Sequence, residues 1–225
     1  MSIAEGLAQV RARIERAALA AGRSPGAVKL IAVSKTKPAD VIRQAYALGQ
    51  RAFGENYAQE LALKAEALAD LPDLEWHFVG HLQTNKARVA ARFAHVVHTV
   101  DSAALVRELG KRAAKDRASP LDVLIEVNLG REPQKAGASP GEIEEVMSAV
   151  QAAPSLSLRG LMTMPPAGDA AAARQTFETL ALLRNLHGGT AALPELSMGM
   201  SDDLEIAVAC GASYVRVGRA IFGER

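Results

Sequence analysis

Apolar residues recur at Ile3, Leu7, Val10 and Ile14, a spacing of three to four that predicts an amphipathic helix over 2–21, ended by Gly22. Beyond it the period changes. Short apolar runs rich in β-formers predict strands at 28–34, 52–54, 76–79, 95–100, 121–128, 158–164, 195–198 and 214–217. Helical patterns fall between them, at 39–48, 55–69, 84–91, 102–115, 140–152, 170–186 and 202–210. Ser102 and Ser139 read as N-caps, the latter with Pro140 at the first helical position, and Gly211 reads as a helix stop.

Strict alternation of strands and helices implies a parallel sheet, and eight strands are the number that closes a (β/α)8 barrel. The expected fold is therefore a TIM barrel with an extra N-terminal helix, with residues 1–225 as a single domain. A doubly wound open sheet competes, but it usually announces itself with a Gly-rich turn after its first strand. Here that turn is Ser34-Lys35-Thr36-Lys37-Pro38. The polar stretch 128–140 is the one long connection and reads as a loop over the site.

Composition narrows the function classes. With 225 residues, 49% of them hydrophobic, the chain can bury a sizeable core. Twenty-six basic against 25 acidic side chains give a net charge of +1, which disfavours a nucleic-acid partner. One cysteine, Cys210, makes no internal disulfide, and the start lacks the basic-then-apolar form of a signal peptide, so a cytoplasmic location is expected. No apolar run approaches the roughly 20 residues needed to cross a bilayer.

In such a barrel, reactive groups come from the carboxyl ends of the strands, and a phosphate commonly sits after strands seven and eight. "SMGMSDD" follows the seventh strand and "RVGRAIFG" forms and follows the eighth. Gly199 and Gly218 permit close backbone approach, Ser201 offers a hydroxyl and Arg219 a charge. Ser201 reads equally as a plain N-cap, and Asp202 and Asp203 would repel an anion. Lys35 ends the first strand, facing the same mouth. An amine opposite an anion cradle suits pyridoxal 5'-phosphate (PLP), which needs a partner for its aldehyde and another for its phosphate. Lys37, expected to face solvent, and Lys135, in the long loop, are rival amines.

Arg216 alternates with Val215 and Val217 in a strand buried on both faces, so its charge needs an acceptor. Two remain open: an ion pair with Glu126 on the fifth strand, or the ring nitrogen of a pyridine. In the second case the cation keeps that nitrogen unprotonated and restrains carbanion chemistry. Asn56, just after the second strand, reads as a pocket amide or a turn former. His77 and His81 straddle a strand end with no third ligand, against zinc. "GHLQTNK" lacks the second glycine of a phosphate loop. Met162, Met164, Met198 and Met200 are expected to fill gaps in the barrel, and Cys210 to be a small buried residue.

The stretches "IAVSKTKP", "FGENYAQE", "WHFVGHLQTNK", "RGLMTMPP" and "LSMGMSDDLEIAVACGASYVRVGRAIFG" together resemble the pyridoxal phosphate homeostasis protein family, single-domain relatives of the alanine racemase barrel. The resemblance implies that Lys35 carries PLP as an internal imine, and that Ser201, Gly218 and Arg219 hold its phosphate. It also implies that Arg216 faces the pyridine nitrogen and Asn56 lines the pocket. Such proteins are regarded as carriers and regulators of the B6 vitamer pool, without an established reaction. In the two-domain racemases a tyrosine from a partner's added β domain is the second base. This chain ends at Arg225, eight residues after its eighth strand, and Tyr46, Tyr57 and Tyr214 lie in or beside barrel elements. A non-catalytic, monomeric PLP carrier is therefore expected, with PLP-dependent apo-enzymes as candidate recipients. The alternative is a racemase using Lys35 as its one base.

Overall fold

A capping box opens the chain. Ser2 Oγ accepts from the Glu5 amide (3.2 Å) and Glu5 Oε2 accepts from the Ser2 amide (2.7 Å), starting α1 at Ile3–Ala20. The structure, a computed structural model, describes residues 2–130 and 136–223. Strands and helices then alternate: β1 Lys29–Val33, α2 Ala39–Ala47, β2 Ala52–Glu55, α3 Ala58–Ala67, β3 Glu75–Phe78, α4 Ala87–Phe93, β4 Val96–Val100, α5 Ala103–Asp116 and β5 Leu121–Glu126. The second half runs α6 Ile143–Gln151, β6 Leu156–Met162, α7 Ala170–Leu186, α8 Gly189–Ala192, β7 Glu195–Ser197, α9 Leu204–Ala209, β8 Tyr214–Val217 and α10 Arg219–Phe222.

The eight strands pair in sequence order, all parallel, and β1 closes on β8. That is the closed (β/α)8 barrel the alternation predicts. Outward residues such as Ala32, Phe53, Val97, Val123, Ile125, Leu161, Val215 and Val217 join the helices in one large core. Inward positions differ: Val96, Leu124 and Met162 form a small separate cluster against Tyr214. Buried His77, His98, Ser197 and Arg216 stand among them, each out of phase with outward-packed neighbours in its strand.

Boundaries shift where polar residues finish a strand. Glu55, expected to open a helix, completes β2, and α3 starts three residues later. β6 begins at Leu156, two residues before the expected start, and ends at Met162. Ser102 caps α5 as expected, accepting from the Leu105 amide (3.3 Å), and Ser139 with Glu142 forms a capping box ahead of α6. Helices α8 and α10, four residues each, were not predicted, being shorter than a periodic pattern can reveal. Among the described residues no helix is long and apolar enough to cross a membrane.

Candidate functional site

The turn after β1 is locked from beneath. Thr36 adopts a left-handed conformation (φ 64), unusual for a β-branched residue, and its amide donates to Glu60 Oε2 (2.8 Å). Lys64 of α3 donates to that same Glu60 oxygen (2.8 Å), to Glu55 Oε1 (2.8 Å) and to the Ser34 carbonyl (2.9 Å). Ser34 Oγ donates to Glu55 Oε1 as well (2.6 Å). Burial pushes the Glu55 carboxyl up, and the Lys64 and Ser34 hydrogen bonds pull against it. Lys35 sits between two residues held by this brace.

Across the mouth, the loop after β8 presses against the end of β1. A Cβ added at Gly218 would lie 2.9 Å from the Val33 carbonyl oxygen, so only glycine fits there without a backbone shift. Gly199, at φ +94, turns the chain after β7, and its added Cβ would meet that of Ala207 at 2.5 Å. Asp203 Oδ1 accepts from the Met200 amide (2.5 Å), which closes the β7 loop. The α1 helix braces the same loop: Arg13 donates to the Ser201 carbonyl (2.9 Å) and pairs with Glu205.

These loops enclose a cavity of about 630 Å³ lined by Lys35, Lys37, Asn56, Ser201, Arg216, Gly218 and Arg219, with Asp202 the one acidic wall residue among the described residues. Every site residue expected from the sequence thus meets in one place. Asn56 Oδ1 is buried with no hydrogen-bond partner among the described residues. The donor set fits a compact anion: four cationic side chains, one hydroxyl, and a glycine that admits close backbone approach. Met164 and Met200 also line the cavity, correcting their expected role as barrel filling, whereas Met162 and Met198 are buried in the core as expected. Lys37, expected to face solvent, lines the cavity too. Lys135 lies outside the described residues.

Arg216 is 4% exposed. It donates to Ser197 Oγ (2.7 Å) and to the Thr163 carbonyl (3.0 Å), and makes no ion pair within 4.0 Å among the described residues. The ion pair with Glu126, one of the two acceptors left open by the sequence, is therefore not formed. Burial lowers the guanidinium to about 10, partly offset by the fields of Glu126 and Asp203, so it remains a cation at neutral pH. Glu126 is lifted by burial to about 7, against the pull of Arg216.

Ser201 is not an N-cap. The α9 helix starts at Leu204 with Asp203 at its N-cap position, which frees the Ser201 side chain to line the cavity. Asp202 pairs with Arg219 at the surface, so part of its charge is answered before it meets any anion. His77 is buried in the barrel, while His81 is exposed, 3.8 Å from Asp101. Among the described residues, no group of three or more His, Cys, Asp or Glu side chains is arranged to hold a metal ion. Cys210 is half-buried rather than enclosed.

Sequence reasoning missed Lys64, Glu55 and Glu60 under the Lys35 turn, because their meeting joins α3 to two strands and leaves no local pattern. His98 and Ser197 were also missed. Their signal was present: each is a polar residue at an inward position of an apolar strand.

The alanine racemase N-terminal domain model matches residues 6–225. The chain is 47% identical over 226 residues to the pyridoxal phosphate homeostasis protein of Pseudomonas aeruginosa, covering 100% of this chain and 96% of that one. The solved structure of PipY of Synechococcus elongatus with PLP bound superposes with a TM-score of 0.83 at 39% identity, covering 99% of this chain and 100% of that one. Alanine racemase of Corynebacterium glutamicum shares the fold, with a TM-score of 0.69 at 20% identity over 99% of this chain and 62% of that one. By these matches along its length, the chain belongs to the alanine racemase N-terminal domain family, and within it to the pyridoxal phosphate homeostasis proteins.

Proposed function

We propose that this protein binds PLP through Lys35 and takes part in PLP homeostasis as a carrier, without a turnover of its own. The observation that carries the reading is a single cavity lined at once by an amine, an anion-compatible loop pair and a buried guanidinium. The relative from Synechococcus elongatus, solved with PLP bound, supports the same ligand. When bound, PLP supplies an aldehyde that condenses reversibly with amines, releasing water.

On this reading each residue has a distinct task. Lys35 Nζ is the amine that bonds the aldehyde carbon, and the braced turn beneath it limits where that amine can reach. Ser201, the backbone at Gly218 and the Arg219 guanidinium hold the phosphate, the last while also paired with Asp202. Asn56 offers its unpartnered Oδ1 to a polar group of the ring. Arg216 meets the ring nitrogen and, being a cation with donors only, keeps a proton off it.

That last task argues against turnover, since a ring nitrogen without its proton withdraws electrons weakly. Proton exchange at an amino-acid α-carbon also needs a positioned base. Among the described residues, the groups the cavity offers are the amines of Lys35 and Lys37 and the carboxylate of Asp202, already paired with Arg219. Lys37, as a second amine on the same cavity, is the one observation that favours the alternative, an alanine-racemase-like enzyme.

A panel of amino acids in deuterated buffer separates the two. The carrier reading expects the loaded protein to show a visible cofactor band, lost in Lys35→Ala, and no α-proton exchange. Exchange at enzyme-like rates that disappears with Lys35→Ala would replace it with the racemase. The reading extends to monomeric protein handing PLP to PLP-dependent apo-enzymes. Light scattering on the loaded protein, and recovery of activity in an added apo-enzyme, check these two parts separately.

A further inference from the structure

A line of polar side chains runs down the barrel axis from the cavity to the opposite end. Arg216 Nη1 donates to Ser197 Oγ (2.7 Å). Ser197 Oγ lies 2.8 Å from His98 Nδ1, and His98 Nε2 lies 2.9 Å from His77 Nδ1. Ser197 and both rings are fully buried, and both rings pack against Tyr214 in T-shaped contacts. Beyond them, His77 Nε2 faces the Glu75 carboxylate at 3.6 Å, too long for a hydrogen bond. Glu75, the first residue of β3, also pairs with Lys29, the first residue of β1.

Counting hydrogens fixes the direction of this line. A guanidinium has donors only, so Ser197 accepts from Arg216 and must point its own hydrogen elsewhere. Among the described residues, the one other hydrogen-bond partner of that hydroxyl is His98 Nδ1. His98 Nδ1 therefore accepts. A ring nitrogen that accepts carries no hydrogen, so His98 is neutral with its one hydrogen on the other nitrogen, and burial pushes both imidazoles down, in the same direction. The hydrogen of His98 is then on Nε2 and is donated to His77 Nδ1. His77 is left with its own hydrogen on Nε2, aimed at Glu75.

We propose that Arg216, Ser197, His98 and His77 form a one-way hydrogen-bond wire that fixes the guanidinium at the cavity wall, making His98 a positioning residue although it never reaches the cavity. The inference rests on the reading above, in which Arg216 meets the ring nitrogen of PLP. A hydroxyl that donates to an imidazole becomes a better acceptor for the guanidinium, and each bond in the line strengthens the next. The wire also carries a dipole from an anion at the barrel base to a cation at its mouth. It thereby compensates a buried charge that has no carboxylate in contact.

Nitrogen-15 NMR of histidine-labelled protein reads the wire without any cofactor. His77 and His98 are expected as neutral Nε2–H rings at neutral pH. An Nδ1–H tautomer or an imidazolium at either residue under that condition overturns the wire. His98→Phe, which removes both ring nitrogens, is expected to weaken PLP binding about tenfold and to shift the band of the bound cofactor. His98→Gln can accept from Ser197 and donate to His77, and is expected to restore both in part. Ser197→Ala, a smaller change, is expected to follow His98→Phe and serves should that variant fold poorly. Unchanged affinity and band in Ser197→Ala, or a His98→Gln loss equal to that of His98→Phe, overturns the positioning role. Wild-type protein that takes up no PLP overturns the carrier reading and this role together, while the tautomers still decide the wire.

Discussion

Glu126 ends β5 as a buried carboxyl whose Oε2 has no partner among the described residues, and burial holds it near a pKa of about 7. Its folded pKa stands above the unfolded value of 4.5, so it favours the fold while protonated. That contribution is complete below pH 4.5 and is lost as pH rises through about 7. Glu126→Gln is therefore expected to match wild type in acid and to be more stable at pH 8 by up to about 3 kcal/mol. Urea unfolding at a series of pH values checks this, and a stability difference that does not change with pH would contradict it. At this scale the sequence was informative where a charge breaks an apolar run. Lys35 and Arg216 stood out for that reason, and both border the cavity. The partner of Arg216 was not legible, because Glu126 and Ser197 both sit at strand ends around the ring and only the closed barrel selects between them.

The turn after β1 depends on an element far along the chain. Lys64 of α3 bonds two carboxylates and a carbonyl from a position 9% exposed. Lys64→Met would strand Glu55 as a buried carboxyl without its cation, at an expected cost of roughly 3 kcal/mol. Adding Glu55→Gln should return part of that loss, since the stranded charge goes with it. Chemical denaturation of the single and double variants measures the coupling, and fully additive losses would show that the brace is not one unit. The elements themselves were largely legible, since periods of two and of three to four alternate clearly along the chain. The start of α9 was not. After the strand, Ser201, Asp202 and Asp203 are all cap-capable, and the bond from the Met200 amide to Asp203 settles the choice in favour of a longer loop, which turns Ser201 into a cavity residue.

Viewed whole, the barrel holds the candidate site from two sides, with α1 gripping the β7 loop and α3 gripping the β1 turn. Arg13 of α1 lies outside the cavity yet bonds the Ser201 carbonyl, and its pair with Glu205 is surface-exposed and adds little stability. Arg13→Ala is thus expected to lower stability by no more than about 1 kcal/mol while weakening PLP retention roughly fivefold. Equilibrium dialysis alongside thermal unfolding separates the two effects, and unchanged retention would mean the β7 loop holds its shape unaided. The barrel was legible from eight alternating units. The role of α1 was not, since amphipathic spacing tells that a helix buries one face and not which loop its polar face meets. The central claim, a covalent link at Lys35, is tested most directly by borohydride reduction of the PLP-loaded wild type followed by digestion and fragment-level mass mapping. The expected result is one modified residue, Lys35, and no modification in Lys35→Ala. Modification of Lys37 or another lysine with Lys35 untouched would contradict the account.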